Sequence, residues 1–513
     1  MALAGCEWHK RVVTILSRPS ISGLRLLRAT VLRCGIVLAL LASGCNRRSD
    51  AGPVVVSAIG RVPILADVAS ATPGGTERVL ADSVAQGLVR YDATGQIEPG
   101  LAERWTVIDD GMSYIFRLRE AEWGDGERVT AGDVVKALRH QIAPGSRNPL
   151  APFLSAIDEI VEMTPEVIEI RLKRPRPDLL RLFAQPELAV MRLRPPGGSG
   201  PFRIARATRH GALLRPAFDP TRAENDDVEA PGPEQNIDLI GERAARAVTR
   251  FVEHQSDLVL GGTFADWPLV PLAGVAPANF RIDPAAGLFG IAIVHRTGFL
   301  ATADNRAALA QAIDRDALVA AFAPGWTSAT QVLPDQLDSS TPPTVPGWAT
   351  LSADDRHSAA RAQVSAWKRQ HSGAVVLTLA LPKGPGATIL YGFVGAALRS
   401  IGVEVRRVGE REDADLRLVD AVAPYDSARW YLATACAPCS DDATAKLKAA
   451  RDANSMSERA DALAAADAAV TADSSFIVIA RPLRWSLVAV RLRAWQANSR
   501  AWHPLNHLRG DPN

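Results

Sequence analysis

The sequence predicts an α/β protein built from more than one lobe. Two strand–helix–strand units carry that expectation, one over residues 237–260 and one over 374–408. A strand, a crossover helix and a second strand close a parallel pair. The third observation is length: 513 residues exceed what one ordinary hydrophobic core organises, so roughly two to four domains or lobes are expected. Composition fits a soluble globular chain, with 47% hydrophobic and 22% charged residues and no extreme bias.

Taken in order, residues 1–44 read as an export signal. Arg25, Arg28 and Arg33 precede an apolar run from Cys34 to Ala42. That run falls short of the roughly 20 residues needed to span a bilayer but suits the core of a signal peptide. It ends in Leu41-Ala42-Ser43-Gly44-Cys45, which resembles a bacterial lipobox. The resemblance implies cleavage before Cys45 and lipidation of that cysteine, and several acyl chains give stable membrane anchoring. The alternative is an ordinary signal peptide with Cys45 incidental; Val31 is an alternative start that would drop Arg25 and Arg28. The signal also accounts for the chain's charge of +2. It holds six cations and one acid, so residues 45–513 keep 52 Lys and Arg against 55 Asp and Glu, about −3. A near-neutral body gives no electrostatic reason to bind nucleic acid.

Residues 46–53 read as a polar tether and Val54 to Ile59 as a buried strand. Leu80, Val84, Leu88 and Val89 recur at helical spacing, predicting a helix over 79–92 that runs into a strand or turn. Tyr114, Phe116 and Leu118 alternate with Ile115, Arg117 and Arg119, the signature of a half-buried strand. Trp123-Gly124-Asp125-Gly126-Glu127 forms a turn, and Thr130 with Asp133 three residues on forms a capping box that opens a helix through Val134, Val135 and Leu138. A hairpin is predicted over 159–172, turning at Thr164-Pro165. The Pro/Gly-rich stretch 195–201 reads as a lobe boundary, and the acidic stretch 216–236 as a surface loop. Further on, strands are predicted at 237–240, 257–260 and 288–294, with helices at 244–253 and 304–321. Residues 333–347 form a Pro-rich connection. The 374–408 unit follows, as strand 375–381, helix 389–401 and strand 403–408. A helix at 457–471 and strands at 475–480 and 485–490 close the chain.

These motifs resemble the peptide/nickel class of bacterial periplasmic solute-binding proteins, which includes the dipeptide- and oligopeptide-binding components of ABC importers. The strongest match runs through Leu101-Ala102-Glu103-Arg104-Trp105, Tyr114 to Arg119, and Trp123-Gly124-Asp125-Gly126-Glu127-Arg128-Val129-Thr130-Ala131-Gly132-Asp133-Val134. Weaker matches are Gly198 to Phe202, Ala307 to Arg315 and Ile401-Gly402-Val403, so the likeness covers roughly residues 79–510. The resemblance implies two hinged α/β lobes around a ligand cleft with an additional third lobe. Residues 54–78, 200–290 and 484–513 would form a discontinuous first lobe, 79–199 the additional lobe and 291–483 the second main lobe. It also implies a peptide-like solute, permease and ATPase partners, a monomer held in the periplasm by lipid on Cys45, and neither catalysis nor a cofactor. A nickel chelate, haem, an oligosaccharide or a cell-wall peptide are alternative solutes.

Ligand contacts are expected at several positions. In this family an aspartate of an "A-D-Y-x-D-P" segment often binds a peptide's amino group. The matching stretch here, Ala423-Pro424-Tyr425-Asp426-Ser427-Ala428-Arg429-Trp430, has Pro424 at that position. Asp420 and Asp426 are candidate substitutes, with Tyr425 and Trp430 beside them; the competing reading is that these are loop and core residues. Gly261, Gly262 and Thr263 end a predicted parallel strand, where ligands of open α/β sheets bind, although two glycines also suit a plain turn. Gln86 and Gly87 match a family segment near the cleft or, equally, an ordinary helix end. Trp123 and Asp125 read as structural.

Cys436 and Cys439 read as a structural disulfide in an oxidising compartment. A redox pair is the lesser alternative, since C-x-x-C at a helix start activates a thiol. His503 and His507 are spaced for one helical face, but Pro504 between them opposes a helix, so no metal site is expected. The chain carries no G-x-S-x-G, Walker loop or H-E-x-x-H.

Overall fold

The structure, a computed structural model, describes residues 52–217, 230–436 and 438–509. The signal segment, Cys45, most of the tether and most of the predicted 216–236 loop lie outside the described residues. Three sheets organise the rest. The first has seven strands in the order Phe202–Ala207, Gly211–Pro216, Ile237–Glu242, Val54–Ile59, Leu258–Thr263, Arg484–Val488 and Phe280–Asp283. Val54–Ile59 lies between two parallel neighbours, so the strands predicted at 237–240 and 257–260 are parallel but separated by the first strand of the sheet. The helix between them, Ala244–Val252, buries Ala244, Ala247, Val248 and Phe251. That is one apolar stripe at i, i+3, i+4 and i+7 laid against the sheet.

The second sheet has five strands in the order Val403–Gly409, Val375–Leu381, Leu416–Val422, Gly287–Ile293 and Phe476–Ala480. Val375–Leu381 and Val403–Gly409 pair in parallel across the crossover helix Pro385–Ser400, in the register Val375 to Val403 through Leu381 to Gly409. Gly287–Ile293 is buried along its whole length, antiparallel to both neighbours. This strand sits entirely in the second sheet, so the chain changes sheets before residue 287 rather than at 290.

The third sheet is antiparallel, with strands Ala102–Ile108, Ser113–Leu118, Val167–Leu172 and Ile157–Thr164. The Ala131–Gln141 helix covers it. Its start is the capping box: the Thr130 hydroxyl accepts from Asp133 N at 3.2 Å and the Asp133 carboxylate accepts from Thr130 N at 3.1 Å. Trp123 is buried, with the Arg192 guanidinium 4.3 Å from its ring centroid.

The predicted 304–321 helix divides into Ala303–Ala312 and Arg315–Ala320. Asp314 breaks it by capping the second piece, its carboxylate accepting from Ala317 N. The Gly75–Val84 helix places Leu80 and Val84 in the core of the seven-stranded sheet, whereas Leu88 onward joins the core of the four-stranded one. That second core runs on through Tyr425, Trp430 and Tyr431 into the Asp441–Asp452 and Met456–Asp473 helices.

Two short crossings join the seven- and five-stranded sheets. Asp283 passes to Gly287 through Pro284-Ala285-Ala286, and Ala480 passes to Arg484 through Arg481-Pro482-Leu483. They lie side by side, because Asp283 pairs with Arg484 and Phe289 with Ala480. Arg481 secures the second crossing, donating to the carbonyls of Gln331, Val332 and Leu333 at 3.1 Å each. Near these crossings the sheets pack through aromatic side chains, Phe264 against Phe289 at 4.9 Å and Phe289 against Trp326 at 5.1 Å.

Candidate ligand-binding cleft

A cavity of about 460 Å³ opens between the units. The seven-stranded sheet contributes Ala58, Ile59, Leu260 to Thr263, Asp283 and Arg484 to Ser486. The five-stranded sheet and the turn after it contribute Asp420 to Pro424, and the four-stranded unit contributes Pro149, Leu150, Phe153, Gln185 and Glu187. The volume lies inside the roughly 300–1,000 Å³ range of small-molecule clefts.

Its charges are paired across the gap. Arg484 Nη1 donates to Asp420 Oδ1 at 2.7 Å. Burial pushes the Asp420 carboxyl up, and Arg484 opposes that push. Arg78 meets Glu187 at 2.7 Å and sits 4.8 Å from the Trp502 ring centroid. Asp283 accepts from Asn498 N at 3.0 Å and faces His503 Nε2 at 3.1 Å. Arg500 donates to the Ala423 carbonyl at 2.9 Å and forms an ion pair with Asp426. A low-dielectric gap strengthens every such interaction and also penalises any group left unmatched.

Of the residues singled out in the sequence, Gly261, Gly262, Thr263, Asp420 and Trp430 line the cavity. Gly261 is exposed to it and takes φ +84, in a bulge of the pairing with Arg484–Val488. Gly262 lies beneath the Trp485 ring, and a Cβ there would fall 2.2 Å from a ring carbon. Trp485 in turn donates its indole N–H to the Thr263 carbonyl at 2.9 Å. Gly262 therefore seats a tryptophan at the cavity wall.

The other candidates lie apart from the cavity lining. The Gln86 side chain donates to the Ser199 carbonyl at 2.7 Å, and Gly87 is forced by the close Phe183 carbonyl, 2.2 Å from where a Cβ would stand. Both fasten the 183–200 segment. Tyr425 is fully buried and packs edge-on to Phe153, while Asp426 bridges Arg181 at 2.7 Å and Arg500. Pro424, at the position of the family's amine-binding aspartate, instead offers its carbonyl to Tyr91 Oη at 3.0 Å and Gln185 Nε2 at 2.8 Å. Cys436 and Cys439 are joined as a disulfide. Cys436 caps the carboxyl end of the Ala428–Ala435 helix, and Cys439 directly precedes Ser440, the N-cap of the Asp441–Asp452 helix. Among the described residues no group of His, Cys, Asp and Glu could hold a metal ion, and no helix is long and apolar enough to cross a membrane.

Sequence reasoning missed the carboxyl-terminal wall, where Trp485, Arg500, Trp502 and His503 face the cavity. The available signal was density: Trp485, Trp495 and Trp502 fall within 18 positions of a chain with 11 tryptophans.

Two sheets joined by paired crossings thus wall a cavity of small-molecule size between them. The pattern of bacterial extracellular solute-binding proteins, family 5, matches residues 96–431, and the chain belongs to this family. Among curated relatives, the probable deoxycholate-binding periplasmic protein YgiS of Escherichia coli is 41% identical over 71 residues, covering 14% of this chain and 13% of that protein. The periplasmic oligopeptide-binding protein OppA of Haemophilus influenzae is 36% identical over 103 residues, 20% of this chain and 19% of that protein. These matches span well under two thirds of either relative. Solved structures are similar over far more. Haemophilus influenzae OppA in complex with RPPGFSPFR gives a TM-score of 0.74 at 15% identity, covering 89% of this chain and 98% of that one. The Escherichia coli murein tripeptide binding protein MppA gives 0.75 at 18% identity, with the same coverage. At that identity the likeness establishes the fold, a periplasmic binding protein architecture of the OppA type.

Proposed function

We propose that this chain is the substrate-binding lipoprotein of an ABC import system and captures a small peptide-like solute in the cleft. Residues 54–78, 200–286 and 484–513 would act as the first lobe, 79–199 as the additional lobe and 287–483 as the second, the strand Gly287–Ile293 going with the five-stranded sheet. The observation that carries this reading is the cavity itself, walled by both sheets and by the four-stranded unit, with opposite charges at its surface. Contacts to both halves exist together only when the halves are close, so a ligand that makes them selects the closed form.

Within that reading Asp420 replaces the family's amine-binding aspartate, sharing its carboxylate between Arg484 and the ligand's ammonium group. Backbone at Gly261 and Thr263 and the flat faces of Trp430, Trp485 and Trp502 hold an extended ligand. Lipid on Cys45 tethers the monomer at the periplasmic face of a membrane, and the closed form docks on a permease driven by an ATPase. The disulfide between Cys436 and Cys439 pins the loop between two helices.

Native mass spectrometry of the protein purified from its own periplasm tests the reading. A bound mass matching a short peptide or amino-acid conjugate is expected. A bound oligosaccharide or haem would refute the peptide assignment, and turnover of the bound compound would refute the binding-protein assignment.

A further inference from the structure

Behind one wall of the cleft lies a group of buried cations that solute capture does not use. Phe153 lines the cavity. Tyr425 packs edge-on to its ring at 5.8 Å between centroids, and the Arg429 guanidinium carbon sits 5.5 Å from the ring centroid. The Phe153 carbonyl accepts from Arg176 Nη2 at 2.6 Å. All three side chains are buried: Arg176 is 6% exposed, Arg429 8% and Tyr425 0%.

Two donors of this group are unmatched. Arg429 Nη1 and the Tyr425 hydroxyl have no hydrogen-bond partner among the described residues. The carboxylates around them are committed elsewhere. Asp338 accepts from Arg459, Ser427 Oγ and Ala428 N. Asp452 is held by Arg451 and Arg174. Asp178 acts on Arg176 through space, yet no hydrogen bond joins it to either arginine among the described residues. One carboxyl cannot balance two guanidinium groups, and burial followed by Asp338 pushes Asp178 up to about 6. Burial, and after it Arg176, pushes Arg429 down to about 10. A buried cation without a counter-ion is costly, and a donor without an acceptor adds to the cost.

We propose that Arg176, Arg429 and the Tyr425 hydroxyl form a buried site for a small monovalent anion of the halide or carboxylate class, at the seam between the four-stranded unit and the Ala428–Ala435 helix. The anion accepts from Arg429 Nη1 and from the Tyr425 hydroxyl, and its charge offsets the second guanidinium. It bolts two units together.

The mature protein crystallised from sodium bromide tests this by anomalous diffraction at the bromine edge. A peak within about 3.5 Å of Arg429 Nη1 and Tyr425 Oη is expected. A carboxylate carried by the cleft ligand has the same chemistry, and halide-free crystals grown with the copurified ligand would show its carboxylate there instead. In solution, Tm should rise by about 2 °C for each tenfold increase in bromide above its dissociation constant, against a bulky sulfonate at equal ionic strength. Arg429→Met should abolish that dependence and Tyr425→Phe should weaken it. The phenylalanine variant keeps both arginines and carries the test if the methionine variant does not fold. Water alone at the site in both crystals, or an unchanged bromide dependence in the variants, overturns the proposal.

Discussion

Gly262 shows how a single position can be read two ways. At the end of a parallel strand it resembles a backbone opened for a ligand, yet its missing Cβ makes room for the Trp485 ring. Gly262→Val must therefore displace the tryptophan. A loss of about 1–3 kcal/mol is expected in urea unfolding, the range for overpacking a filled site. Asp420 is the opposite case, a half-buried carboxylate that faces the cavity with one oxygen held by Arg484. If it also meets the ligand's ammonium group, Asp420→Asn should weaken titration calorimetry of the copurified ligand by about 10- to 100-fold, the worth of a charged hydrogen bond. An unchanged affinity would remove Asp420 from the site. Asp178 makes a pH prediction. Burial first and Asp338 second push its carboxyl from an ordinary value of 3.8 up to about 6. The folded chain thus keeps this proton to a higher pH than the unfolded chain does. The stability it contributes is fully present below 3.8 and is lost as pH rises through about 6. Asp178→Asn should accordingly gain in Tm relative to the parent as pH is raised from about 4 to 7.5.

At the scale of elements, legibility followed locality. The Thr130–Asp133 box needs only four residues, and it was readable. Thr130→Ala should cost about 1 kcal/mol in thermal or urea unfolding, the usual worth of an N-cap. The parallel pair 375–381 and 403–409 was readable because its crossover helix lies between the strands in sequence. The 304–321 helix was misjudged at one point, since alanine-rich periodicity continued through Asp314 while its carboxylate formed a new cap. Sheet order was not readable. Arg484–Val488 inserts between Leu258–Thr263 and Phe280–Asp283, more than two hundred positions upstream, and no local pattern announces such a partner. Gly287–Ile293 is apolar throughout, so alternation could not tell which sheet owns it.

For the whole molecule, the same limit governed the cleft. Gly261, Thr263, Asp420 and Trp430 could be named because family patterns or strand ends marked them. Arg78, Glu187, Trp502 and His503 come from distant segments that meet only after three units assemble. Tyr425 and Asp426 lie in the right segment, but Tyr425 packs on Phe153 of the four-stranded unit and the Asp426 carboxylate is taken up between Arg181 of that unit and Arg500 of the carboxyl-terminal wall. Closure makes its own prediction: adding the copurified ligand to ligand-depleted protein should shrink the radius of gyration by about 1 Å in small-angle scattering. An unchanged radius would mean that the guest enters a preformed chamber.

The paired crossings limit how the molecule can move. Each is three residues long and contains a proline, Pro284 or Pro482, whose ring locks one backbone torsion. A single strap would allow swivelling in any direction. If the halves open and close as proposed, two stiff straps fixed side by side would act like the two pins of a door, leaving one arc of swing and one edge through which a passenger enters or leaves.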